Sequence, residues 1–579
     1  MNLIFLVRQL ANVASTTTSH INDDRVFFGM QLARRLPGPA SRFVGRAFGK
    51  VPNDAGQAAC AWLLGQESKA KDLVSTSQEP SRLLGEIALN LGLLGEAENI
   101  AVSLPDAAAL TSRILWSQGR IDEAIDALPV SARRRARLVD ERRCLQPEWW
   151  PTAAEHIIAR PACVADEKSH PSSLHVLTNS LPHTRSGYAY RSHAVLTTLQ
   201  NAGHNVAAVT RPSYPVTIGR FSSGPVETVD GIDYLRQVSL SPLPTPTARL
   251  SDQASWIAAQ AQKRNAQILH TTTHYVNGLA TGAAARSIGS PWVYEVRGVL
   301  EETWAAAGAS IEERAARRNS QRFILMRAKE IEVATAADAV ITLGETMRGH
   351  LIDGGVPAEK ITLIPNSVSE AVVEAETSRA PAEVRARVGL PPDGIWVGTA
   401  ASIVGYEGLD DLVDAVILAR RQGTDLRLLI AGDGVALPEL RERATVLGDN
   451  AVFTGRVSQT EAIEYQLGLD AIVVPRKNEP VCQLVTPIKP IEAMGLGRPV
   501  VTCDLPALNE LVPESAGLRV ATGDPNDLAG VLSELACDES ARIRLGQNGR
   551  DHVLATRRWK DIGQRYGQVY SRLMEVGAK

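Results

Sequence analysis

Val473–Asp504 reads VVPRKNEPVCQLVTPIKPIEAMGLGRPVVTCD. Two short β-branched runs, one ending at Val474 and one beginning near Val500, enclose Arg476, Lys477, Glu479, Lys489 and Glu492. Glu492 opens a small-residue helix, EAMGLG, that leads straight into the second run. Strand, charged turn, helix and strand in this order form one unit of a parallel sheet, and such sheets take ligands beyond the carboxyl ends of their strands. A carboxylate at that turn can accept two hydrogen bonds from a vicinal diol, and a lysine can neutralise a diphosphate. The pattern suits a sugar nucleotide.

The same alternation extends in both directions. Upstream within this half, strands are predicted at Trp396–Thr399, Leu426–Ala431, Val452–Thr454 and Ala471–Val474, and downstream at Pro499–Thr502 and Leu518–Val520. Leu409, Leu412, Val413 and Val416 fall at i, i+3, i+4 and i+7 with Asp410 and Asp411 in the first turn and Gly423 beyond the end, which predicts a helix. An earlier series is predicted at Leu174–Thr178, Val206–Thr210, Ile268–Thr271, Trp292–Val296, Ala339–Thr342 and Ile361–Ile364. The stretch Glu374–Asp393, with its prolines and charges, reads as the connector. Two similar α/β halves therefore lie in tandem.

The first 165 residues differ in kind. LLGQESKAKDLV, LNLGLLGEAENIAVSL and LWSQGRIDEAIDAL align so that Gly65, Gly92 and Gly119 recur every 27 residues, and Ala70, Ala97 and Ala124 recur with them. A glycine where two antiparallel helices turn and an alanine where they cross is what a stacked helical hairpin needs. The pattern resembles a short tetratricopeptide-type array; a non-repeating helical bundle is the alternative. Within it, SARRRARLVDERR (Arg133, Arg134, Arg135, Arg137, Arg142, Arg143) precedes Trp149 and Trp150. This cluster reads either as a solvated helix face neutralised by Asp140 and Glu141, or as a patch for an anionic membrane surface or polyanionic acceptor with the tryptophans at the interface.

Composition bounds the partners. The chain has 579 residues, 44% hydrophobic and 22% charged, with 61 Lys plus Arg against 64 Asp plus Glu. That is globular composition in several domains, without the global positive field that nucleic acid binding draws on. Cys60, Cys144, Cys163, Cys482, Cys503 and Cys537 show no metal-site spacing, so a reducing compartment and no structural zinc are expected. The start, MNLIFLVRQLANVA, has an apolar run broken by Arg8, too short for a secretory segment. A cytoplasmic protein is expected, at most peripheral at the inner face of a membrane.

Strand ends in the first half offer further candidates. Ser186-Gly187 precedes a helix in TNSLPHTRSGYAYRSH, so backbone N–H groups there could face an anion, although a single glycine before a helix is also an ordinary turn. His183 and Arg185 share that loop. In YEVRGVLEE, Glu295 and Arg297 stand at the sheet edge; Arg297 could grip a phosphate or carboxylate, or pair with Glu295 or Glu301.

With IEAMGLGRPVV and ALNELV, with AADAVITLGETMRGHLIDGGV and ITLIPNSV closing the first half, and with LLIAGDG and VFTGRV in the second, residues 172–575 resemble family-4 retaining glycosyltransferases of the two-Rossmann (GT-B) type. The resemblance implies an α/β fold of two tandem Rossmann-like domains preceded by an all-α helical-repeat domain. Boundaries are expected at 1–168 for the helical domain, 169–370 for the acceptor-side domain, 371–555 for the donor-side domain, and 556–579 for a closing helix. That helix is expected to pack back on the first half through Trp559.

The resemblance further implies transfer of a hexose or derivative from a UDP- or GDP-sugar to a glycan, glycolipid or other cell-envelope acceptor, with retained configuration. No cofactor or metal is implied, in keeping with the lack of an Asp-x-Asp motif. Glu492 matches the second glutamate of the E-x7-E motif and would hold the ribose, Gly187 would approach the donor phosphates, and Val457 would meet the base. Four positions depart from the family. Leu484 stands at the first glutamate, leaving Glu479 or Gln483 as substitutes; Ser402 and Glu407 stand where Arg and Lys are usual; Arg297 replaces a histidine. Lys489 and Arg297, with Lys477, must then supply the charge that stabilises the leaving diphosphate, and Lys489 is expected to touch it. His183, Arg185 and Glu295 fall on the acceptor side. A peripheral membrane or protein partner is expected at residues 1–168, and the alternative is a catalytically inactive glycosyltransferase-like scaffold or binding protein acting through its helical domain.

Overall fold

The glycine and alanine repeat determines the first part of the chain. In the computed structural model, which describes residues 2–35, 43, 45–48, 51, 53–154 and 170–577, Gly65, Gly92 and Gly119 all take left-handed φ, between 76° and 82°. Each ends one helix of a pair: Asp54–Leu63 with Glu67–Thr76, Arg82–Asn90 with Leu94–Val102, and Ala108–Ser117 with Ile121–Asp126. Such a residue reverses the chain without a Cβ penalty. Ala70, Ala97 and Ala124 are each fully buried where the paired helices cross. Cys163 and the expected boundary at 168/169 lie outside the described residues.

The β-rich remainder forms two sheets. The first contains β1 (Ser173–Leu177), β2 (Val206–Thr210), β3 (Val226–Val229), β4 (Ile232–Leu235), β5 (Ile268–Thr272), β6 (Trp292–Val296), β7 (Ala339–Thr342) and β8 (Ile361–Leu363), in the order β3-β4-β2-β1-β5-β6-β7-β8. All pairs are parallel except β3 with β4. The second contains β9 (Ile395–Ala400), β10 (Leu426–Ala431), β11 (Ala451–Gly455), β12 (Ala471–Val474), β13 (Val500–Cys503) and β14 (Gly517–Val520), ordered β11-β10-β9-β12-β13-β14 and parallel throughout. Both orders reverse at the first strand, which creates a crevice at the carboxyl edge of each sheet. The expected helix after β9 is present as Leu409–Arg421, and the connector carries a helix of its own, Pro381–Arg387.

The hairpin β3–β4 was not among the expected strands, although Asp230-Gly231 between two apolar runs is a strong hairpin turn signal. It widens the first sheet beyond β2.

The last helix, Trp559–Gly577, returns to the first lobe. Trp559, Ile562, Tyr566 and Tyr570 are buried with Leu177, Val195 and Ile341. Tyr570 Oη lies 2.7 Å from His270 Nδ1 and 3.1 Å from His175 Nε2, and burial lowers the pKa of both imidazoles. No helix among the described residues is long and apolar enough to cross a membrane.

The arginine cluster is built into this framework. Arg142 pairs with Asp122, Arg135 donates to Ile125 O at 2.6 Å, and Asp140 accepts from Thr247 N at 2.8 Å, fixing the helix Arg133–Cys144 to the first lobe. Trp149 packs on the first-lobe core, and Arg286 lies 4.1 Å over the Trp150 ring. The tryptophans therefore face protein, which removes them from the membrane-facing reading; Arg133 and Arg143 remain exposed.

Candidate functional site

The Glu492 loop and the loop after β9 meet because β9 and β12 are neighbours in the sheet. Gly408 takes φ 69°, and a Cβ there would strike Pro475 O, so the chain on either side lies tight against the β12 loop. Lys477 N donates to Tyr406 O at 3.0 Å across the same seam. This contact sets Glu407 between two cations. Its Oε2 lies 2.5 Å from Lys489 Nζ and its Oε1 lies 3.5 Å from Arg476 Nη2. Burial alone would raise the Glu407 pKa, but Lys489 and Arg476 outweigh it and hold it below its usual range. Glu407 thus gathers positive charge at the position where sequence reading saw a cation lost. Arg476 is buried and also donates to Val485 O at 2.9 Å.

Lys489 and Glu492 occupy the first turn of the helix Lys489–Gly495. No described residue hydrogen-bonds the Glu492 carboxylate, and the residue is half-buried. Burial raises its pKa to about 7, and Lys489 draws it down only in part. A carboxylate with both oxygens unsatisfied, beside a cation, is suited to a donor carrying two adjacent hydroxyls.

Across the crevice, Gly187 starts the helix Gly187–Asn201, capped by Ser186 Oγ, which accepts from Ala189 N at 3.3 Å. A Cβ on Gly187 would meet nothing within 4 Å, so open space lies beside that backbone. Tyr188 next to it lies within electrostatic reach of both Arg297 of the first lobe and Arg476 of the second.

Other expected residues take different roles. Glu295 is fully buried rather than turned to an acceptor: Arg191 Nη2 lies 2.6 Å away, Arg297 Nη2 2.7 Å, and Tyr566 Oη 3.1 Å. Burial would raise its pKa, but Arg297 and Arg191 hold it well below the carboxylate range. Arg297 is correspondingly engaged by Glu295 and by Ser192 Oγ at 2.7 Å, with Nε alone unpartnered, so it is a buried ion-pair partner more than an open phosphate ligand. His183 is held by Glu227 at 2.8 Å, whereas Arg185 is exposed and unpaired among the described residues.

Glu479 does not substitute for the missing motif glutamate. It binds Arg314 at 2.7 Å and Arg318 at 2.5 Å, both on the first lobe, and so clamps the lobes together. Gln483 donates to Asn478 at 2.5 Å, and Leu484 packs on the second-lobe core. Lys477 is paired with Asp410 and Asp411. Ser402 is exposed at the crevice edge, and Val457 is half-buried beyond β11. A second tie joins Glu510 to the N–H of Glu345 at 2.8 Å. Beside the Glu479 clamp, a cavity of about 990 Å³ is lined by both lobes, including Ala306, Ile311, Ile403, Val435 and Lys477; Lys489 and Glu492 lie outside its lining.

Arg314 and Arg318 were not among the sequence candidates, and the pairing of Glu407 with Arg476 was not visible there. Each acts through a partner far along the chain.

Comparison with known proteins agrees with this geometry. Residues 186–367 match the family described as "Glycosyl transferase 4-like domain", and residues 391–538 match "Glycosyl transferases group 1". Alpha-D-kanosaminyltransferase of Streptomyces kanamyceticus is 27% identical over 241 residues, 40% of this chain and 60% of that protein. D-inositol 3-phosphate glycosyltransferase of Stackebrandtia nassauensis is 30% identical over 237 residues, 39% and 52% respectively. The chain thus spans between about half and three fifths of these relatives. Among solved structures, sucrose-phosphate synthase from Thermosynechococcus elongatus superposes with a TM-score of 0.56 at 22% identity, over 70% of this chain and all of that one. Anabaena HepE in complex with UDP-glucose gives 0.52 at 16%, over 70% and 100%. These likenesses identify the fold as GT-B.

Proposed function

From the premise that the chain belongs to the GT4-like, group 1 glycosyltransferases of GT-B fold, we propose that it transfers a hexose or hexose derivative from a nucleotide diphosphate sugar to a glycan or lipid-linked acceptor. The observation that carries this reading is the adjacency of an unsatisfied carboxylate, Glu492, to the Lys489–Glu407–Arg476 cluster. Glu492 would accept the ribose hydroxyls. Lys489 would approach the diphosphate, with Arg476 adding positive field from behind and Gly187 offering open backbone opposite. As the glycosidic bond breaks, negative charge grows on the departing diphosphate, and preorganised cations stabilise it without rearrangement. Retention is proposed with the leaving phosphate accepting the acceptor's proton, so no protein base is invoked. The cavity beside the Glu479 clamp has the volume of a small-molecule site and is proposed to admit the acceptor.

The test is a panel of UDP- and GDP-sugars scored for nucleotide release with and without acceptor. Donor-dependent release that Lys489→Ala removes is expected. Binding without release across the panel would overturn the transferase reading and favour a scaffold, the reading suggested by Leu484 in place of the first motif glutamate.

A further inference from the structure

The helix Leu3–Asp23 lies across the first lobe with one face down. Gln9 exchanges two hydrogen bonds with the backbone of Ser222, at 2.8 and 3.0 Å, and Asn12 donates to Ser239 O at 2.9 Å and Ser213 Oγ at 3.0 Å. Phe5 is buried with Val216 and Val238. The helix is thus held through Phe5, Gln9 and Asn12 on one face, while four large apolar residues of the opposite side are left outward. Leu3, Ile4, Val7 and Leu10 are between 51% and 74% exposed.

The loops that hold the helix carry exposed apolar residues of their own. Ile218 and Phe221 leave β2, and Leu240 and Leu243 leave β4; all four are exposed, Leu240 by 58%. Apolar groups collected in this way mark an interaction site, whereas single exposed ones do not. Its charge identifies the partner. Residues 2–22, 211–226 and 237–250 contain no Asp or Glu. Arg8 and Arg220 are exposed there, and among the described residues neither has a carboxylate partner. Elsewhere on this chain arginines are repeatedly paired, as Arg142, Arg286 and Arg318 are with Asp122, Trp150 and Glu479.

We propose that this face docks on the surface of an anionic lipid bilayer, with Leu3, Ile4, Val7 and Leu10 entering the headgroup boundary and Arg8 and Arg220 meeting lipid phosphates. A helix lying in the interface gains both from buried apolar area and from attraction of basic residues to anionic lipid. The loops carrying Ile218 and Leu240 leave the same carboxyl edge of the sheet as Gly187, so a docked membrane lies along the acceptor wall of the crevice. The inference deepens the transferase reading by placing its acceptor in a membrane. It also relocates the membrane-facing surface from the arginine cluster at 133–143 to the first helix.

Co-sedimentation of the full chain with phosphatidylcholine vesicles, with and without phosphatidylglycerol, tests it without any donor sugar. Binding to the anionic vesicles that weakens with salt is expected. Val7→Glu with Leu10→Glu should lower it about tenfold or more, and Arg8→Glu and Arg220→Glu about fivefold each. Nucleotide release without vesicles should be unchanged in all of these. Failure of the wild-type chain to bind anionic vesicles, equal binding by the variants, or loss of self-association instead of vesicle binding would each overturn the proposal. Loss of nucleotide release with vesicle binding intact would count against the transferase reading alone.

Discussion

Glu407 Oε2 sits 2.5 Å from Lys489 Nζ while its other oxygen faces Arg476 at 3.5 Å, so one buried carboxylate orients two cations that come from the far side of a loop. Lys489 is the most exposed member, with 16% of its side chain accessible against 10% for Glu407 and 5% for Arg476. Lys489→Ala is expected to lower kcat by about 10²–10³, the usual loss for one preorganised stabilising group. The fold should persist, because Glu407 keeps Arg476 as a partner. Donor turnover alongside circular dichroism checks this; full turnover in the variant would remove Lys489 from the phosphate site.

Glu407→Ala acts differently. It strands Arg476, a buried guanidinium, and breaking a buried pair from one side typically costs about 3–5 kcal/mol. A clear fall in the denaturant midpoint is expected. Combining Glu407→Ala with Arg476→Met should recover much of that stability yet leave turnover impaired, because the charge is then lost with the pair. If the double variant is no more stable than the single one, Arg476 is not the group being stranded.

Glu492 gives the pH dependence. Its native pKa of about 7 stands above the ordinary 4.5 because burial disfavours the charge. Between those values the native state holds a proton that the unfolded chain has released, so stability of the empty protein falls as pH rises through that window. Ribose hydroxyls donate to the ionised form, so nucleotide affinity should rise with pH up to about 7 and then level off, with proton release on binding. Calorimetry in buffers of different ionisation enthalpy measures that release. Glu492→Gln should abolish both the pH slope and the proton release; an unchanged slope would assign it to another group.

Most of the fold could be read from short-range pattern. β2, β6, β7, β10 and β12 fall at the residues that short apolar runs marked, and the left-handed φ of Gly65, Gly92 and Gly119 follows from a period visible by eye. Long-range pairing was not legible. Glu407 reads as a lost cation until β9 and β12 are known to be neighbours, which brings partners 69 and 82 residues away into contact. The same holds for Glu295, whose position at a strand end suggested an accessible site until Tyr566 of the last helix covered it.

The Glu479 clamp predicts how the crevice opens. Arg314 and Arg318 hold Glu479 across the lobes in a partly buried network, worth more than a single exposed pair. Glu479→Gln should cost about 1–2 kcal/mol of closure, roughly a five- to thirtyfold shift toward open forms. Small-angle scattering should show a larger radius of gyration, and the donor KM should rise more than kcat falls. An unaltered scattering curve at low and high salt would show that the Glu510 tie and the core contacts hold the lobes without it.

The three repeat glycines separate backbone strain from packing. Gly65 and Gly92 have open space where a Cβ would go, so Gly65→Ala and Gly92→Ala should each cost about 1 kcal/mol from the left-handed φ alone. Gly119 shares that φ, but its Cβ would collide with Ser320 Oγ and lie 2.7 Å from the Trp304 ring, where the last hairpin meets the first lobe. Gly119→Ala should therefore cost the same strain plus an overpacking term of about 1–3 kcal/mol. It should also weaken the neighbouring contact in which Arg322 N donates to Gly119 O at 3.0 Å. Urea unfolding of the three variants should rank Gly119→Ala well below the other two. Equal losses would mean that the array and the first lobe are not packed through this turn, and that the helical domain hangs on the Asp140 and Trp150 contacts instead.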